Sequence, residues 1–175
     1  MKTLGFAAEY SVEPATSNDE ELHRVEFGRE PTTAQHTREQ LVVSPDGGKA
    51  WLGSFESGIG GLTRAFSTPD ARTLLVIDNG RAYLIPVDRP EKYVRPPINP
   101  VLEALPFPKD ERLVLVSHTR LVGVGPKGIV WTTDDLASDG FDEIRSLSDG
   151  VYVSARLPSG DRAEYVVALK DGGLR

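Results

Sequence analysis

The sequence predicts an all-β protein: two antiparallel β-meanders packed as a sandwich or a partly closed barrel, with one short helix near 99–105. Three observations carry this. Short apolar runs alternate with turn residues at nearly regular spacing, most clearly from Leu113 to Asp171. Seventeen Gly and thirteen Pro are many for a helical chain and ordinary for a strand-and-turn one. The pair Asn79-Gly80, between LLVID and RAYLI, marks a two-residue hairpin, because both turn positions tolerate positive φ.

In chain order, residues 3–10 read as an edge strand, and the polar, turn-rich SVEPATSNDEE (11–21) as a mobile loop. LHRVEFG (22–28) has neither face purely apolar and suits an edge strand, while 29–40 lacks a period and reads as loop. A first meander of four to five strands occupies 41–88. It opens on LVV, turns at Pro45-Asp46-Gly47-Gly48 and returns through KAWLGSF. SGIGG (57–61) reads as a flexible hairpin loop. GLTRAFS, the turn TPDA, RTLLVID, Asn79-Gly80 and RAYLIPV complete the unit.

Residues 86–108 contain seven prolines, which exclude a central strand and suggest a surface connector over 89–110. Within it, Asn99 at an N-cap and Pro100 at the first helical position predict the short helix. A second meander runs over 111–172. In its last hairpin Val151, Val153, Ala155 and Leu157 share a core face, with Tyr152, Ser154 and Arg156 opposite. The length of 175 residues fits one domain with a core of ordinary size.

Composition narrows the function. A net charge of −6, without a cluster of arginines, argues against a nucleic-acid partner. The acidity is concentrated at the start: residues 1–40 carry four Lys/Arg against eight Asp/Glu, whereas 41–108 balance at seven each. The absence of Cys excludes disulfides, thiolate metal sites and cysteine nucleophiles. The apolar run in MKTLGFAAEY is too short for a signal peptide, and no run approaches a membrane span, so a cytoplasmic protein without a membrane partner is expected.

SPDGGKAWLGSF (44–55) resembles the SPDG-type turn of bacterial β-propeller repeats, with a degenerate echo in FSTPDARTLLV (66–76). GPKGIVWTTDDLASDGFDEI (125–144), followed by a DG hairpin and a strand ending in LKDG (169–172), resembles a recurring segment of uncharacterised bacterial β-rich proteins. The second resemblance implies a bacterial origin and transfers no catalytic residue.

Few groups invite chemistry. Asp134, Asp135, Asp139, Asp142 and Glu143 lie within ten residues. Counted from Asp135, however, a calcium loop would place Ala137 third and Ser146 twelfth, where ligands are needed. His23 and His36 are thirteen apart in polar sequence, and His118 ends LVLVSH, so no histidine metal site is expected. No cofactor is expected either. A hydrolase or small-ligand reading would join His118 to Ser117 or Ser138 and the 134–143 loop, without a GxSxG elbow to anchor it. SGIGG lacks the helix and Lys-Ser/Thr of a phosphate loop. Trp51 and Trp131 suit a core, and Tyr152 with Arg156 suits an interface. The favoured function is a non-enzymatic module that binds a protein partner or its own copy through an edge strand. Its candidate binding residues are His118, Asp134, Asp135, Asp139, Tyr152 and Arg156.

Overall fold

A computed structural model describes residues 3–19, 21–28, 39–157 and 159–175. It bears out the all-β class: fourteen described strands form four sheets, none closed into a barrel. The first sheet holds β1 (Tyr10–Pro14), β2 (His23–Phe27), β3 (Glu39–Pro45) and β4 (Trp51–Phe55) in the order β1-β3-β4-β2. The second holds β5 (Arg64–Ser67), β6 (Thr73–Asp78) and β7 (Arg81–Pro86). The third runs through β8 (Glu103–Phe107), β9 (Arg112–Val116), β10 (Leu121–Gly125) and β11 (Gly128–Thr132). The fourth holds β12 (Phe141–Ser146), β13 (Gly150–Arg156) and β14 (Arg162–Ala168). Each expected meander is therefore divided between two sheets.

The sheets pack face to face in chain order, and three cores join them. Leu74, Val76, Tyr83 and Ile85 point from the second sheet to the first, where they meet Phe27, Trp51 and Phe55. Leu75, Ile77, Ala82 and Leu84 point the other way, onto Leu113, Leu115, Val122 and Val124 of the third. Val114, Val116, Leu121 and Trp131 then meet Val151, Val153 and Val167 of the fourth. This arrangement explains why LLVI and LVLV are apolar without alternation. Strands covered on both faces need apolar side chains at every position. β13 buries the expected row of Val151, Val153 and Ala155 fully, but Ser154 of the opposite face is buried as well and Leu157 is only half-buried.

Trp51 and Trp131 lie in the first and third of these cores, and each indole is tied to a carbonyl. Trp51 Nε1–H donates to Val87 O (2.9 Å) and Trp131 Nε1–H to Leu169 O (2.8 Å). The rings of Phe27 and Phe55 stack at 4.7 Å, with Tyr83 and Tyr93 edge-on to Phe27.

Several expectations are corrected. The helix near 99–105 is absent: the Asn99-Pro100 bond is cis and Glu103–Phe107 is strand β8. The Asn-Pro start is a local capping signal, and pairing along the whole length of β9 overrides it. Pro106 is tolerated because β8 is an edge strand. Nor is the connector wholly superficial, since Ile98 and Val101 are buried between the second and third sheets. The first strand begins at Tyr10, the last residue of the expected strand, and runs to Pro14 in the expected loop, with Tyr10 and Val12 alternating into the core; most of 3–10 is irregular. β2 is an edge strand as expected, but parallel to β4. The loop expected over 29–40 lies largely outside the described residues, and Glu39 and Gln40 open β3.

SGIGG is the crossing from the first sheet to the second, and it packs on the Asn79-Gly80 turn. Gly58 N–H donates to Asp78 O (2.9 Å), Gly80 N–H to Leu62 O (2.8 Å) and Val101 N–H to Gly80 O (2.7 Å). Such backbone approach leaves no room for side chains: a Cβ on Gly58 would stand 2.3 Å from Asn79 O. Asn79 and Gly80 have φ of 48° and 87°, the positive values a tight hairpin of this kind requires.

Candidate functional site

The groups singled out from sequence gather around the β9–β10 turn, but they do not form a catalytic arrangement. Ser117 Oγ accepts hydrogen bonds from the backbone N–H groups of Thr119 and Arg120 (both 3.2 Å) and donates to Arg120 O (3.3 Å). Its hydroxyl builds the turn. Ser138 Oγ likewise donates to a main-chain carbonyl, that of Arg156 (2.8 Å). His118 is exposed beside Gly140, and among the described residues it makes no hydrogen bond to a carboxylate or to a serine.

Asp135 has other partners. Arg120 donates through Nε to Oδ1 (2.9 Å) and through a terminal nitrogen to Oδ2 (2.8 Å), and Thr119 Oγ1–H donates to Oδ1 (2.6 Å). The two-pronged match of a guanidinium to a carboxylate fixes both groups in one plane. The Arg120 hydrogen bonds, then that of Thr119, pull the Asp135 carboxyl down to about 2, and the same bonds raise the Arg120 guanidinium. Asp134 and Asp139 are exposed, and neither accepts a hydrogen bond among the described residues. Asp142 pairs with Arg162 (3.1 Å) and, more distantly, with Arg156 (3.9 Å). Among the described residues no group of three or more His, Cys, Asp or Glu converges as a metal site would require. His36 lies outside those residues.

Tyr152 and Arg156 both belong to β13 but have separate partners. Arg145 of β12 lies over the Tyr152 ring, 4.3 Å from its centroid, while Arg156 turns to Asp142. The outer face of the fourth sheet is thus a mixed-charge surface laced by its own ion pairs, Arg145 with Glu143 among them.

Two features were missed at the sequence level. The first is a cavity of about 480 Å³ lined by Arg81, Arg95 and Arg120, with Ser117, Thr119, Asp135 and the Pro96–Asn99 stretch. The three arginines lie fourteen and twenty-five residues apart, at the start of β7, after the bridge residue Val94 and just before β10, so no linear motif announces them. Arg81 is held by Glu56 at 2.5 Å, while its Nε is buried without an acceptor. Nearby Asp78 is buried, and that burial raises its carboxyl, against the opposing hydrogen bond from Ser57 and the charge of Arg81.

The second feature is the edge strand β11. It pairs with β10 alone among the described residues, and it contains neither a charge nor a proline. Val130 is 41% exposed on it. A cavity of about 410 Å³ adjoins its start, lined by Leu84, Val94, Pro126 and Ile129 among others. Sequence singled out Trp131 here for packing, and the absence of charge over GIVWT is the signal that would have marked the edge.

No protein-family model and no curated protein matches the chain. No helix among the described residues is long and apolar enough to cross a membrane. Fold and site together define an all-β chain with a sheet edge free of charge and proline at β11 and an arginine-lined cavity.

Proposed function

We propose that this chain is a non-enzymatic interaction module of the bacterial cytoplasm, which takes an extended segment of a protein partner, or of its own copy, as an added strand beside β11. The observation that supports this reading is the contrast between β11 and the other edges. β1 carries Pro14 and β8 carries Pro106, and each removes a donor from its edge. β12 has a bulge at Phe141–Glu143 and presents Glu143 and Arg145. β7 is bridged by Val94, and β14 by Leu174. β11 has a bulge at Val130, where its register against β10 shifts, but among the described residues it has no charge, no proline and no bridging residue. Strand addition draws affinity from main-chain hydrogen bonds and specificity from pockets for alternate side chains, and the Leu84–Val94–Ile129 cavity offers such a pocket.

The test places a photo-crosslinking amino acid at Val130 and compares the native protein with Val130→Lys, an exposed charge of the kind that guards natural edges. Crosslinks mapping to one extended segment, in a second copy or in a defined partner, and abolished by Val130→Lys, are expected. A monomer at every concentration in sedimentation, with Val130 crosslinking to no strand, would refute the reading.

A further inference from the structure

We infer that the cavity lined by Arg81, Arg95 and Arg120 is a binding site for a small ligand carrying a phosphate group. The inference concerns the opposite end of β10 from the β10–β11 turn, so it does not depend on strand addition. Three guanidiniums and a single carboxylate, Asp135, line this space in a protein whose net charge is −6. Arg81 is paired with Glu56 and Arg120 with Asp135, so Arg95 carries the lining's unbalanced positive charge.

The three arginines are held in different ways, and the differences suit a clamp. Arg120 is oriented by its two hydrogen bonds to Asp135, and Arg81 by Glu56. Neither arginine uses all its donors in these pairs, because a guanidinium carries five N–H groups. Arg95 makes no hydrogen bond or ion pair among the described residues and is exposed at the rim, free to close on an anion. Two oriented cations and one free one match the three terminal oxygens of a phosphate, which guanidinium groups recognise in paired N–H···O geometry.

The rest of the lining says what accompanies the phosphate. Pro96, Pro97, Ile98 and Ala82 form an apolar wall, and Asp135 stands as an acceptor. A volume of about 480 Å³ exceeds what inorganic phosphate alone would fill and lies within the range of ordinary small-ligand sites. The ligand is therefore a phosphorylated small molecule with an apolar part and a hydrogen-bond donor.

The experiment titrates inorganic phosphate, pyrophosphate and succinate into the full chain by calorimetry, at constant low ionic strength. Saturable one-to-one binding of the phosphates is expected, weakening as salt is raised. Arg95→Ala removes a side chain with no partner in the fold, so its thermal midpoint should match the parent while affinity falls at least about tenfold. Arg64→Ala, an exposed arginine outside the cavity, should bind as the parent does. The inference is overturned if neither phosphate saturates, if succinate binds equally well, or if Arg95→Ala and Arg64→Ala weaken binding alike.

Discussion

Gly123 and Trp131 offer the sharpest test of how the third and fourth sheets are locked together. A Cβ built on Gly123 would stand 2.2 Å from Cε2 of Trp131 and 2.5 Å from its Nε1. The indole has nowhere to retreat. On its other side a Cβ on Gly172 would lie 2.9 Å away, and its N–H is committed to Leu169 O at 2.8 Å. Gly123→Ala must therefore displace a buried ring. Overpacking of this kind costs about 1–3 kcal/mol, and disturbing the indole hydrogen bond adds about 1 kcal/mol. The total of about 2–4 kcal/mol corresponds, for a chain of this length, to a fall in thermal midpoint of roughly 5–15 °C. Urea and thermal denaturation followed by far-ultraviolet circular dichroism would measure it. In a Trp131→Leu background the ring is gone, so the added cost of Gly123→Ala should drop below about 1 kcal/mol, a non-additivity that reports direct contact. A cost within about 0.5 kcal/mol in the parent, or an equal cost in both backgrounds, would refute the interlock.

Further outcomes follow from the turns and from the Asp135 pair. Gly80→Ala should cost about 2 kcal/mol or more, because φ is +87° and the new Cβ would meet Gly60 O at 2.3 Å. Gly47→Ala shares the positive φ but meets nothing within 4 Å, so denaturation should show about 1 kcal/mol of backbone strain alone. The Asp135 carboxyl is depressed in the folded chain to about 2, against about 3.9 in an unfolded one. Its contribution is thus present above about pH 4 and lost as pH falls toward about 2. The stability difference between the parent and Asp135→Asn should be constant through neutral pH and vanish across that window. Carbon-detected titration of Asp135 at an ordinary carboxylate value would contradict it.

The sequence by itself determined the all-β class, the hairpins and the inward face of the last sheet. These depend on local physics: which residues accept positive φ, and which positions of an alternating strand meet a core. Asn79-Gly80, and the row Val151, Val153, Ala155, are legible for that reason. Both indoles were legible as packing groups because large aromatic rings in apolar strands are rarely left in water.

The tertiary structure alone decided how strands were shared among sheets and which charges met. Asn99-Pro100 carries a helix-start signal, yet its segment becomes β8, because the unpaired edge of β9 offered a full ladder of hydrogen bonds that a short isolated helix could not match. Residues 11–14 read as a polar loop until β3 pairs with them and the core takes Val12 beside Tyr10. The candidate site divides in the same way. Asp135 was visible as one carboxylate of an acidic run, but its partners Arg120 and Thr119 lie across a turn fifteen and sixteen residues away. Arg81 opens β7, Arg95 follows the bridge residue Val94 and Arg120 precedes β10, and only the packing of the second sheet on the third brings them to one cavity. Local conformation is encoded in neighbours along the chain, whereas the meeting of distant charges is a property of the assembled core.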